Sequence, residues 1–442
     1  MSEDLLIKNG LVVTGNGQGT IYEKGHATVT NGVITSIGLG GSSRKADTVI
    51  DASGCVVIPG LITAHTHLYG ILLRGASLNI EPPTDFAQVL QRVWWPVDEA
   101  LTVDDAYASA LSASADMLLN GSTLYADTYS GPNSIEGSLD AIARGTREVG
   151  IRGIVAFEMT ERHNQEEAVR GLREGVQFIK SLKKEDLVSG MMSIHASFTV
   201  GDEIVTRAAN EAEKLNVPIT VHTSEGLVDL YHNLEHSGER TVERLGRLGA
   251  LGPRTILAHC VHVNNHEMDL IAESKSSVAH NPMSNMLNAV GVSPVPSMLK
   301  RGITVGLGND GWIYDPFENM RCALTAHRLA SGNPSAIGPE QVFRMATLEG
   351  ARCYGMENKI GSLEKGKSAD IVILDGSRVP TPLTKGSVVG HLLNTFRGSD
   401  VRDVFVGGIH SVETGRLKLT SQDNVVRVSR ESARGLWSRL CE

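Results

Sequence analysis

Residues 56–67, Val-Val-Ile-Pro-Gly-Leu-Ile-Thr-Ala-His65-Thr-His67, decide the fold. An apolar, β-branched run that turns polar only at its end is the pattern of a strand buried on both faces, as in a parallel sheet. From Pro59 onward that pattern repeats. Strand candidates fall at 56–67, 122–128, 151–158, 189–197, 218–223, 255–263, 277–281 and 303–310, with amphipathic helical stretches between them. Strict alternation over about 300 residues favours a closed (β/α)8 barrel over an open doubly wound sheet. No GxGxxG follows the first strand, which weighs against dinucleotide binding.

Working outward, residues 4–57 lack any helical period and read as short strands broken by turns such as Thr14-Gly-Asn-Gly17 and Asn31-Gly32. After a predicted helix at 339–354, β character returns at 361–375 and 401–407, and a helix at 429–440 closes the chain. The expected organisation is therefore a barrel over 59–360. A small composite β-sandwich, built from 1–58 and 361–442, flanks it.

Composition limits the partners. Lys and Arg total 41 against 50 Asp and Glu, a formal charge of -9, so the chain is a poor binder of nucleic acid or anionic membranes. No apolar stretch approaches the ~20 residues that span a bilayer, and the amino terminus lacks a signal-peptide pattern. Five scattered cysteines without a CxxC pair suit a reducing compartment, so a cytoplasmic location is expected.

The chemistry is expected at the strand ends. His65 and His67, two apart on a strand, face the same way and can chelate one ion. His222, His259 and Asp310 end three further strands, and a cation would satisfy all these buried polar groups together. Glu225, three residues past His222, would overhang the same mouth, where a free carboxylate is suited to carrying protons. His195 ends the fourth strand, as substrate contact or as a satisfied core histidine. Trp94 or Trp95 could stack on a planar ring, and Glu158, Glu161 and Arg162 could read substrate edges. His280 and Asn285, beyond the seventh strand, are assigned to loop structure.

Taken together, Pro59-Gly-Leu-Ile-Thr-Ala-His65-Thr-His67, His222-Thr-Ser-Glu225, Ala-His259-Cys and Gly-Asn-Asp310-Gly resemble the amidohydrolase superfamily. With Gly361-Ser-Leu-Glu-Lys-Gly-Lys-Ser-Ala-Asp370, the likeness is to its cytosine deaminase / chlorohydrolase (ATZ/TRZ) branch. Asn79-Ile-Glu-Pro-Pro83, Trp94-Trp95 and Phe317-Glu-Asn-Met320 bring it nearest the SsnA-type aminohydrolases. The resemblance implies one divalent ion, zinc first and iron second, on His65, His67, His222 and Asp310. Binuclear members carry a bridging lysine at the fourth strand, which here reads Met191-Met-Ser-Ile-His195. It further implies Asp310 as base to the attacking water, Glu225 as proton donor to a ring nitrogen and His259 as donor to the developing oxygen.

The expected activity is deamination of a guanine-like or isocytosine-like heterocycle by water, with release of ammonia, in a homo-oligomer that is a dimer or larger. Hydrolysis of a ring amide or a chlorotriazine C–Cl bond could use the same machinery. A non-catalytic scaffold would have no reason to keep the whole polar set.

Overall fold

A computed structural model describes residues 4–40, 46–184 and 186–441. Eight parallel strand positions run in the order of the chain: Leu61–Thr66, Ser122–Tyr129, Arg152–Met159, Val188–Gly190 with Met192–Ala196, Ile219–Thr223, Thr255–His259, Ser277–His280 and Val305–Leu307. Their burial is nearly complete on both faces, which explains the unbroken apolar runs. The seam between the eighth strand and the first is bridged from the following loop, where Asn309 N–H donates to the His65 carbonyl at 3.0 Å. Gly308 makes this approach possible, since a Cβ there would stand 2.8 Å from the same carbonyl oxygen.

The chain ends meet in a second, mixed sheet. Ile371–Asp375 pairs antiparallel with Cys55–Pro59, and from that junction the sheet extends through Leu5–Val13, Ile21–Thr30 and Val33–Leu39 on one side. On the other side lie Val401–Val406, Ile409–Glu413 and Arg416–Leu417. The period-two alternation divides the work. Val56, Ile58, Val372 and Leu374 join the large core of the barrel, whereas Cys55, Val57, Ile371 and Ile373 close a smaller core of the sheet itself.

Several expected elements are redrawn. The run 56–67 is two strands, because the chain leaves one sheet for the other at Gly60, whose N–H donates to Asp370 O at 2.9 Å. The helix expected at 339–354 is two helices, Pro339–Met345 and Leu348–Cys353, and 361–375 is strand only over Ile371–Asp375. The closing helix begins earlier, at Gln422. A helix at Leu227–Ser237 was not expected from the sequence. Its inward face carries Asp229, Leu230 and Asn233 while Leu227, Tyr231 and Leu234 are exposed, so its apolar period points away from the core.

Candidate metal centre and active site

At the carboxyl ends of the first, fifth, sixth and eighth strands, His65, His67, His222, His259 and Asp310 converge. His65 Nε2 lies 2.9 Å and His67 Nε2 3.4 Å from Asp310 Oδ1, and His67 Nε2 lies 3.2 Å from His222 Nε2. Backbone carbonyls fix the tautomers. His67 Nδ1 faces Thr128 O at 2.8 Å and His222 Nδ1 faces His195 O at 2.6 Å. Both Nδ1 atoms therefore carry the proton in the neutral ring, and the two Nε2 lone pairs point at each other. Two lone pairs at that distance repel unless a proton or a metal ion lies between them, and the donor set fits a divalent ion held by three imidazoles and one carboxylate. Burial holds the pKa of His65 down, to about 4, whereas at His67 the carboxylates of Glu158 and Asp310 outweigh burial and lift it to about 10.

The backbone is bent to deliver these groups. His259 (φ 69°), Asp310 (φ 59°) and Ser224 (φ 47°) all adopt left-handed conformations that non-glycine residues avoid. Gly311 then lets the chain pass His67, since its Cβ would stand 2.6 Å from the His67 carbonyl oxygen.

Glu225 and His259 lie next to each other. His259 Nε2 is 3.5 Å from Glu225 Oε2 and 3.5 Å from Asp310 Oδ1. Burial works against a charge on His259, but the carboxylates of Glu225 and Asp310 outweigh it and lift its pKa to about 9. Burial also pushes the Glu225 carboxyl up, with His259 opposing. Its protonated form is thereby favoured at higher pH than for an ordinary glutamate.

The other candidates divide. Trp94, His195 and Glu158 line the cavity beside the centre, together with Tyr69, Phe86 and Phe198. The Trp94 ring lies 6.5 Å from that of His67, and His195 Nδ1 bonds Thr199 Oγ1 at 3.0 Å. Arg162 is not part of this lining. Its Nη1 pairs with Asp98 Oδ2 at 2.9 Å, so it stands behind Asp98, which does line the cavity. Trp95 packs under the Arg162 guanidinium, 5.4 Å from its ring centroid, and Glu161 accepts from the Gly201 N–H.

Five residues were missed or misread. Asn285 accepts from His259 Nδ1 at 2.8 Å, and Ser284 donates to Asp310 Oδ2 at 2.5 Å. Asn288 reaches Glu225 Oε1 at 3.4 Å, and Asp127 accepts from the Leu68 N–H at 2.8 Å. The first three share the short helix Pro282–Leu287 and its C-cap. A cluster of Asn and Ser just past a buried strand end was the available signal. His280 is no loop residue: it ends the seventh strand and faces His327, with the two Nε2 atoms 3.0 Å apart.

Known proteins resemble this chain along nearly its whole length. The model of the amidohydrolase family matches residues 56–409. A 5'-deoxyadenosine deaminase of Methanosarcina mazei is 32% identical over 443 residues, covering 99% of both chains. A 5-methylthioadenosine/S-adenosylhomocysteine deaminase of Syntrophobacter fumaroxidans is 33% identical over 98% of both. The crystal structure of an adenosine deaminase from Xanthomonas campestris with bound zinc superposes with a TM-score of 0.90 at 26% identity, over 98% of this chain and 99% of that one. Family match, end-to-end relatives and a convergent His/Asp centre lead to one conclusion: the chain belongs to the amidohydrolase family.

Proposed function

We propose that this chain is a mononuclear metal-dependent deaminase that exchanges the exocyclic amine of a planar nitrogen heterocycle for the oxygen of water. The observation that carries the reading is the meeting of His65, His67 and His259 around one oxygen of Asp310, with His222 against His67 and Glu225 against His259. The ion, zinc before iron, would be held by His65, His67, His222 and Asp310 and, when bound, supplies a water of near-neutral pKa. No lysine stands at the fourth strand end to bridge a second ion.

The remaining steps belong to the protein. Asp310 takes a proton from the attacking water. Glu225, its carboxyl pKa raised to about 7 by burial, protonates the ring nitrogen beside the attacked carbon and later assists loss of ammonia. His259 donates to the oxygen as charge develops on it. Tyr69, Phe86 and Trp94 supply flat apolar walls for a ring. Among the described residues no helix is long and apolar enough to cross a membrane, and the five cysteines are unpaired, which supports a cytoplasmic enzyme. A homo-oligomer, dimeric or larger, completes the proposal.

Ammonia release from aminopurines, aminopyrimidines, pterins and aminotriazines tests the reading. Turnover of at least one ring amine is the expected result. Chloride release from a chlorotriazine with no ammonia from any amine would replace it with dechlorination.

A further inference from the structure

Glu158 ends the third barrel strand, is 1% exposed and lines the cavity. Among the described residues its Oε1 has no hydrogen-bond partner. His222 Nδ1 at 3.6 Å and His67 Nδ1 at 4.0 Å lie beyond hydrogen-bond reach, and each is already committed to a backbone carbonyl. A buried acceptor left open is costly, and one that faces a ligand cavity can be satisfied by a donor on the ligand. Its position narrows which donor. Glu225 stands beside His259, whereas Glu158 stands beside His67 and His222, so the two carboxyls border the centre from different imidazoles.

We infer that Glu158 reads a ring N–H adjacent to the reacting carbon and thereby selects cyclic guanidines, in which the amino carbon lies between a bare ring nitrogen and a ring N–H. Guanine and isocytosine have this pattern. The bare nitrogen takes the proton from Glu225, and the N–H across the amino carbon donates to Glu158 Oε1. An adenine ring has carbon on that second flank and leaves Oε1 open. The inference rests on the deaminase reading and goes further, because the relatives described above are named for adenine nucleosides.

The test compares kcat/KM of the metal-loaded enzyme for guanine, 1-methylguanine, isocytosine, adenine and adenosine, with Glu158→Leu and Glu158→Gln measured beside wild type and their metal content determined. Wild type is expected to prefer guanine over 1-methylguanine by about 10²-fold or more, as a site built around a hydrogen bond rejects the analogue lacking it. Glu158→Leu should shrink that ratio to less than about tenfold at unchanged metal content. Glu158→Gln, which keeps an acceptor oxygen, should retain most of it. Equal wild-type turnover of guanine and 1-methylguanine overturns the inference without any variant. So does a Glu158→Leu enzyme that loses its ion and slows on every substrate by one factor, since that is a positioning role. Turnover of adenine or adenosine without guanine or isocytosine sinks this inference alone; ammonia from no ring amine sinks the deaminase reading with it.

Discussion

At the scale of single residues, three of the four imidazoles of the centre are aimed by a group from elsewhere in the chain: Thr128 O behind His67, His195 O behind His222, Asn285 behind His259. Two variants separate aiming from chemistry. Glu225→Gln keeps the shape and removes the proton, so kcat should fall at least ~10²-fold with metal content unchanged. A variant that lost its ion and kept its turnover per remaining ion would reverse the roles of Glu225 and the ligands. Asn285→Ala leaves His259 in place without its Nδ1 partner. A loss of ~10–100-fold in kcat with little change in KM or bound metal is expected, and unchanged kcat would make Asn285 a packing residue. His65, His67, His222, His259 and Asp310 were legible in the sequence because each follows an apolar run at a strand end, and Glu225 because it lies three residues past His222. Asn285 and Ser284 were not, since an orienting residue shows itself only through the side chain it touches.

Among the elements, the helix Leu227–Ser237 is the instructive case. Sequence periodicity finds helices whose apolar stripe faces inward, and this one is anchored by polar groups instead. Asp229 accepts from the Ser224 N–H at 2.6 Å and from Asn233 Nδ2 at 2.9 Å, tying the helix to the loop that carries Glu225. Burial pushes the Asp229 carboxyl from 3.8 up to about 7. The folded state thus holds a proton that the unfolded chain has lost between about pH 4 and 7, so this group makes stability fall as pH rises through that window. Asp229→Asn removes the titration, and its melting temperature should decline less than that of wild type between pH 5 and 8. Parallel declines would show that Asp229 is ionised throughout. The break of 56–67 at Gly60 escaped the sequence for another reason: both halves are buried β-strand, and only the change of neighbouring sheet divides them.

For the molecule as a whole, one face of the composite sheet belongs to the core of the barrel. Neither part has a complete core alone, so calorimetry should show a single unfolding transition. Two resolved transitions would mean that the shared core contributes little. Removing the ion by chelation should abolish activity and lower the melting temperature, because a ligand bound only by the folded state stabilises it. One ion per chain should restore both, and a requirement for two would defeat the mononuclear assignment.

The clasp between His65 and Asp310 also governs the order in which the protein can be made. The two residues are 245 positions apart, and the first barrel strand has no eighth-strand neighbour until the later one has left the ribosome. At ~5–20 residues per second, that interval is roughly 12–50 s, and the strand Cys55–Pro59 waits longer still for Ile371–Asp375. Throughout the delay, an apolar strand edge stays unpaired on the nascent chain, open to wrong partners. Assembly of the catalytic mouth is therefore among the last events of biosynthesis, and chains truncated before residue 310 should emerge without a closed barrel, as captives of chaperones or as aggregate.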